Sequence, residues 1–464
     1  MTHKPMPFVS TRGHAPAQDF AQVLLAGLAP DGGLFMPEAW PQIAIAEIAG
    51  KPYADAAYAV LRRFAGDSFA DAELKSDIDA AYADFDDARI APLVEIGDNL
   101  FLLELFHGPT LAFKDIAMQV LGRLFARALA RRGGRATVVA ATSGDTGSAA
   151  IAALGGLANI EIFVLHPKGR VSEVQRRQMT TSPHANVHNI ALEGSFDDAQ
   201  AIVKDLFADT EFADAVSLTA VNSINFARIA AQCVYYFTAT AQLGRAATFV
   251  VPTGNFGDVF AGEAAMRMGL AVERLVVATN ANDIMTRALN SGVYAIGAVE
   301  QTLSPSMDIQ VASNFERALF EASGRDTDWL RDAMAAFARD RRLVLPEKIR
   351  AALAARYIAF SADDAETLAT IARVHAETGR LIDPHTAVGV AAALRAGGSG
   401  SQSKIVLATA HPAKFPDAVQ RATGQIPPLP PRLRDLMARP EKMTVLAADK
   451  GLVRAHIAAT VQPR

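Results

Sequence analysis

The sequence predicts an α/β protein: two mainly parallel α/β domains preceded by a helical N-terminal region. Three observations carry that expectation. Five apolar, β-branched runs, ATVVAAT (136–142), IEIFVLH (160–166), ATFVVPT (247–253), ERLVVAT (273–279) and KIVLATA (404–410), alternate with amphipathic stretches. Strands apolar on both faces, with helices between them, belong to parallel sheets. The 464 residues exceed one ordinary core, so about two to four domains of roughly 100–200 residues are expected. A long helical pattern at 222–243 is placed to divide two such sheets.

Taken in order, residues 1–92 read as the N-terminal region, with helices at 18–27, 53–65 and 70–82 around the turn-rich LAPDGGLFMPE at 28–38. The first α/β domain is expected over 93–243 and the second over 244–423, the latter with a weakly patterned polar stretch at 291–312 and helices through most of 313–395. From 424 to 464 the prolines of IPPLPPRLRD favour an extended arm strapped over the surface.

Composition narrows the function. Half the residues are hydrophobic, 20% are charged and the formal net charge is −4, so neither nucleic acid nor an acidic membrane is an expected partner and a small molecule is. The single cysteine, Cys233, can form no intramolecular disulfide and reads as a core residue. No apolar run approaches the ~20 residues that span a bilayer, and MTHKPMPFVSTRG lacks the apolar segment of a signal peptide, which together lead us to expect a cytoplasmic protein. Neither H-E-x-x-H nor a His/Cys/Asp cluster is present, so no metal site is expected, and there is no G-x-S-x-G elbow.

The chemistry-bearing residues begin with Lys114, among small and apolar neighbours in HGPTLAFKD (107–115). An ammonium that loses water on burial gives up its proton more readily, and the neutral amine attacks carbonyl carbon. By itself a lysine beside Asp115 reads more readily as a solvated or paired surface cation, so the loops after the predicted strands must decide. In ATSGDTGSAA (141–150), Ser143 and Asp145 can cap a helix, while Gly144 and Gly147 clear space for backbone N–H groups to converge on an anion. VPTGNFGDVFAG (251–262) repeats the arrangement: Gly254 and Gly257 bracket Asn255 and Phe256 at a positive helix end, a phosphate seat without a lysine. Neither loop matches G-x-x-x-x-G-K-[ST], nor G-x-G-x-x-G with an acidic residue about 20 positions on, so ATP and NAD are poorly supported. A third segment, ATAHPAKF (408–415), carries Thr409 and His411 to a sheet's carboxyl edge, where α/β ligands gather. His411 alone reads as a structural histidine. An imine-forming lysine, two anion loops and a strand-end hydroxyl together suit pyridoxal 5'-phosphate.

HGPTLAFKD, ATSGDTG, TGNFGD and HPAKF stand in the order, and near the spacing, of the threonine synthase family within the tryptophan-synthase-β-like, fold type II pyridoxal phosphate enzymes. STRG (10–13), LAPDGGLFMPE, NSINFARIAAQ (222–232) and ATNANDI (278–284) are similar to the same family, so the resemblance runs from about residue 10 to 420. It implies that the cofactor lies between the two α/β domains, that Lys114 holds its aldehyde as an imine, and that Gly254, Asn255, Phe256, Gly257 and Asp258 surround its phosphate. Thr409 would face the pyridine nitrogen, and Ser143, Asp145 and Thr146 would hold the substrate near the cofactor hydroxyl. Related enzymes with other substrates often carry asparagine where Asp145 stands. An ionised aspartate cannot donate to a phenolate, so Asp145 is either protonated or turned elsewhere.

The implied substrate is O-phospho-L-homoserine, converted with water to L-threonine and phosphate. Its phosphate needs cations beyond the two loops, and Lys168 and Arg170 in HPKGR are candidates, with Arg12 a further one. Two rivals stay open. A related phospholyase would release 2-oxobutyrate, ammonia and phosphate, and a non-catalytic binding protein could stand on the same scaffold.

Overall fold

The computed structural model describes residues 4–142, 144–219, 223–397 and 402–461. All five runs read as buried strands form strands, and they separate into two sheets. In the larger, six strands lie in the order Tyr357–Ser361, Arg274–Thr279, Thr248–Pro252, Lys404–Ala408, Leu100–Glu104, Leu93–Gly97. Every neighbouring pair is parallel except the last, an antiparallel hairpin at the edge. The smaller sheet runs Thr444–Ala447, Val187–Glu193, Ile160–Pro167, Ala136–Ala141, Leu218–Thr219 and is parallel throughout. The α/β expectation holds, with helices on the sheet faces as parallel crossovers require.

Sheet membership departs from the sequence segments in two places. The strands at 93–104 open the segment that holds the smaller sheet, yet Leu100–Glu104 pairs with Lys404–Ala408 in the larger one. The C-terminal arm has no regular structure over 425–430, but it then turns through the short 3-10 helices Pro431–Leu433 and Leu436–Ala438, adds the strand Thr444–Ala447 beside Val187–Glu193 and ends in the helix Lys450–Thr460. TVLA is four residues long and half exposed, too short to show a period, and only the pairing partner identifies it.

The N-terminal region is not purely helical. Helices form at Phe20–Ala26, Tyr53–Ala65 and Asp71–Tyr82, but Phe8–Ser10 pairs antiparallel with Phe35–Pro37. Similarly, the mainly helical stretch 313–395 contains Tyr357–Ser361, the far edge of the larger sheet.

The dividing helix spans Phe226–Leu243. Asn225 caps its start by accepting from the Ala227 N–H, and Gly244 ends it in the left-handed conformation. It is buried on every side from Phe226 to Thr240, Cys233 included, and the Tyr53–Ala65 helix packs on it with the Phe64 and Phe226 rings 5.4 Å apart. Apart from the buried Arg228, Gln232 and two threonines that stretch is apolar all round, as suits a helix inside a protein. Among the described residues no helix is long and apolar enough to cross a membrane.

Candidate active site around Lys114

Asp115 shapes the loop that delivers Lys114. Its carboxylate accepts from the Thr110 N–H at 2.8 Å and the Thr110 hydroxyl at 2.6 Å, closing 110–115 into a tight turn with Leu111 at φ 62°. Gly108 is required there, since a Cβ would lie 2.4 Å from that of Asp115. Backbone bonds then tie the turn to the segment after Lys404–Ala408: Phe113 N–H donates to Thr409 O at 2.9 Å, and His411 N–H to Leu111 O at 3.0 Å. Lys114, the first residue of the helix Lys114–Arg131, is thereby held beside Thr409. Thr409 is buried, and its hydroxyl makes no protein hydrogen bond among the described residues.

The Lys114 side chain is 12% exposed and its Nζ lies 3.2 Å from Asp145 Oδ2. Burial pushes its pKa down; Asp145 opposes the shift, and the charges of Lys414 and Arg228 add to it. Asp145 is the hub. Lys414 Nζ sits 2.7 Å from Oδ1, Gln175 Nε2 donates to Oδ1 at 2.9 Å, and the Ser306 hydroxyl donates to Oδ2 at 3.1 Å. Burial alone would raise this carboxyl, but the Lys114 and Lys414 charges and the Lys414 hydrogen bond outweigh it and hold Asp145 well below the usual carboxylate range. Asp145 is therefore held ionised and turned to the two lysines.

Ser306 extends the network. Its backbone N–H donates to His385 Nε2 at 3.2 Å, while His385 Nδ1 lies 2.8 Å from Asp383 Oδ1. An accepting Nε2 fixes the neutral tautomer with the proton on Nδ1, directed at Asp383. The Ser306 carbonyl oxygen meanwhile presses on the second loop, 2.7 Å from where a Gly254 Cβ would stand.

That second loop keeps several backbone donors free. Asn255 O accepts from both the N–H and the Nδ2 of Asn314, each at 3.1 Å, and Phe256 takes φ 63° ahead of the helix Gly257–Arg267. Turning the Asn255 carbonyl outward leaves the N–H groups of Asn255, Gly257 and Asp258 without protein acceptors among the described residues. Asp258 offers this loop only its backbone N–H, because its carboxyl points at the Tyr235 and Tyr236 hydroxyls and burial raises it to about 7.

The first loop behaves differently. The Gly144 and Gly147 N–H groups, read as converging on an anion, both donate to the Thr142 hydroxyl at 2.9 Å. These glycines are instead required by close packing: a Cβ on Gly144 would be 2.6 Å from the Gln175 side chain, and one on Gly147 2.5 Å from that of Thr142. The Asp145 and Thr146 N–H groups remain at the helix end, with Thr146 partly exposed. Ser143 lies outside the described residues.

The candidate cations for a second phosphate stand elsewhere. Lys168 is half exposed and pairs with Glu193 at 3.0 Å, Arg170 acts on Asp198, and Arg12 is bound to Glu316 at 3.1 Å. Their partners are carboxylates outside the Lys114 cluster. His411 is structural as read: Nδ1 accepts from the Ala413 N–H at 3.1 Å, and burial holds its pKa down to about 4.

Lys414, Gln175, Ser306 and His385 were not picked out from the sequence. Lys414 had a usable signal, since it follows a buried strand among apolar neighbours in HPAKF, as Lys114 does in its own loop. For Gln175 and Ser306 no local signal exists.

The residues present fit pyridoxal phosphate: a nearly buried lysine with a lowered pKa, a loop with N–H groups awaiting acceptors, and an unpartnered hydroxyl at Thr409. Comparison with known proteins agrees. Three family models match, described as threonine synthase N terminus over 7–82, pyridoxal-phosphate dependent enzyme over 89–359 and threonine synthase, C-terminal, over 386–457. The threonine synthase of Pseudomonas aeruginosa is 49% identical over 459 residues, covering 97% of this chain and 98% of its own. The structure of PLP-bound threonine synthase from Brucella melitensis superposes with a TM-score of 0.96 at 51% identity, over 98% of this chain and all of that one. The yeast threonine synthase structure gives 0.93 at 38% identity, over 98% and 99%.

Proposed function

The chain belongs to the threonine synthase family of pyridoxal-phosphate-dependent enzymes, and from that premise we propose that it converts O-phospho-L-homoserine and water to L-threonine and phosphate, with Lys114 as the residue that holds the cofactor. The observation that carries this reading is the Lys114–Asp145–Lys414 cluster lying beside Thr409 and joined through Ser306 to the 254–258 loop. Gly254, Asn255, Phe256, Gly257 and Asp258 would hold the cofactor phosphate, and Thr409 would lie on the side of the ring nitrogen. Bound there, pyridoxal phosphate supplies an electron sink that makes loss of protons from Cα and Cβ of an amino acid feasible.

The chain's own residues do the rest. Lys114 Nζ would hold the cofactor at rest and, when not so engaged, would be the base nearest Cα of a bound amino acid. Its lowered pKa suits it to take a proton there and to return one at the end of the reaction. Asp145, ionised, anchors Nζ on the side of the helix Asp145–Leu154, and Lys414 keeps that carboxylate charged. Thr146 and the N–H groups at that helix end bind the substrate carboxylate. A neutral hydroxyl at Thr409 would leave the ring nitrogen less protonated than a carboxylate would. We place the protein in the cytoplasm on its lone, buried cysteine.

Incubation with O-phospho-L-homoserine, following phosphate and threonine together, tests the proposal. Equal yields are expected; phosphate with 2-oxobutyrate and no threonine would make the chain a phospholyase instead.

A further inference from the structure

Ser306 touches the site from both sides. Its hydroxyl donates at 3.1 Å to Asp145 Oδ2, the oxygen that also meets Lys114 Nζ at 3.2 Å. Its carbonyl oxygen lies 2.7 Å from where a Gly254 Cβ would stand, at the start of the second loop. A cofactor held by its aldehyde carbon at Lys114 and by its phosphate at that loop fixes how far apart the two must stand. Ser306 therefore sits where a small shift is felt at both ends.

The base of its segment is pinned independently. Asp308 accepts from the Thr302 N–H at 3.0 Å, the Thr302 hydroxyl at 2.6 Å, and Nδ2 of Asn280 and Asn282 at 2.8 and 3.1 Å, which ties the segment to the carboxyl end of Arg274–Thr279. Ser306 itself stands in the single turn Pro305–Met307, and its N–H is given to His385 Nε2 at 3.2 Å. The His385 ring, 3% exposed, is fixed on two sides: Nδ1 faces Asp383 Oδ1 at 2.8 Å, and the ring packs on Phe415 with centroids 4.8 Å apart. Asp383 is fully buried as the N-cap of the helix Pro384–Arg395, where it accepts from the His385 N–H at 2.9 Å, the Thr386 N–H at 3.2 Å and the Thr386 hydroxyl. Capping needs the backbone N–H of His385 and not its ring. The far nitrogen of the ring, aimed away from the cap at Ser306, is thus not accounted for by the helix.

We propose that His385 is a positioning residue for the reaction at Lys114: Asp383 sets the ring, Nε2 holds the Ser306 N–H, and the held backbone aims the Ser306 hydroxyl at Asp145. This rests on the assignment of the chemistry to Lys114. With the His385 bond lost, Asp145 Oδ2 loses the donor that orients it, and Lys114 Nζ loses a fixed partner.

The test separates the two ring nitrogens. His385→Asn keeps a donor near the Nδ1 position for Asp383 and has nothing at Nε2, whereas His385→Gln reaches the Nε2 position with an acceptor oxygen and gives up the Asp383 contact. His385→Asn is expected to hold its thermal midpoint, to lose roughly 10–100-fold in kcat, as for a slightly misplaced catalytic group, and to keep KM within about twofold. The pH midpoint of the lysine-bound cofactor's absorbance change should move down, because a carboxylate no longer held beside the nitrogen stabilises its charged form less. His385→Gln should show the reverse pattern, a lowered thermal midpoint with kcat and absorbance near wild type. Ser306→Ala should lower kcat as His385→Asn does, and the double variant should lose no more than the larger single loss. Wild-type kcat in His385→Asn, kcat that follows the thermal midpoint across the two histidine variants, or losses that multiply in the double variant would overturn the inference. Should His385→Asn not fold, His385→Gln decides: kept turnover at a lowered midpoint supports the assignment, and lost turnover refutes it. Wild-type protein without turnover of O-phospho-L-homoserine would defeat the functional reading itself, whereas an active wild type with an indifferent His385→Asn defeats only this inference.

Discussion

Lys414 Nζ lies 2.7 Å from one oxygen of Asp145 while Lys114 lies 3.2 Å from the other, so a single buried carboxylate is shared between two lysines. The sharing is unequal in consequence. Lys414, fully buried, also donates to Thr110 O at 2.7 Å and so braces the turn that delivers Lys114. Its charge pushes the Lys114 pKa down, favouring the neutral amine. Lys414→Met should therefore cost about 3 kcal/mol of stability, as for a broken buried pair. It should also move the acid limb of the pH–rate profile to higher pH, because Lys114 then holds its proton longer. A profile with an unshifted acid limb would assign Lys414 to packing alone.

Lys114→Ala should leave the fold intact, since Asp145 keeps Lys414, Gln175 and Ser306 as partners. Turnover should fall at least about 10³-fold, in the range lost with a general base and nucleophile. The absorbance of the lysine-bound cofactor should vanish with it. Circular dichroism beside both readouts checks that fold and chemistry separate.

How much of this was legible in the sequence depends on whether the signal is local. Lys114 and the 254–258 loop could be found because apolar neighbours and glycines at a strand–helix junction are local patterns. Thr409 followed from the end of a buried strand. Gln175 and Ser306 could not be found, since they meet Asp145 from 30 and 161 residues away. Glycine spacing also misled once: it shows where the backbone is free to bend, not which acceptor takes the N–H, and Thr142 takes two in the first loop. Strand allegiance failed for a related reason. Leu100–Glu104 joins the larger sheet through Lys404–Ala408, about 300 residues later, and no local period encodes a partner at that separation.

Gly254→Ala tests the loop without touching a charge. A Cβ there would lie 2.7 Å from Ser306 O, a backbone atom that cannot step aside without disturbing the Asp145 contact on the same residue. Overpacking of this kind costs about 1–3 kcal/mol. If the strain falls on the loop, pyridoxal phosphate should bind about tenfold or more weakly while the thermal midpoint changes little. Unaltered cofactor affinity would place the phosphate elsewhere.

His411 gives the pH dependence. Burial, helped by His107, holds its pKa down to about 4, against about 6.5 in an unfolded chain. With the folded pKa depressed, the unfolded state takes up the proton first as pH falls. The neutral ring's contribution is thus fully present above pH ~6.5 and is lost on the way down to pH ~4, in total on the order of 3 kcal/mol. The loss reaches the active site, because the same short segment holds Leu111 and Phe113 through the backbone of His411 and Thr409. His411→Asn keeps an acceptor for the Ala413 N–H but cannot take the proton, so its unfolding midpoint should fall less steeply than the wild-type midpoint between pH 6.5 and 4. Parallel curves for the two proteins would show that another group controls the acid transition.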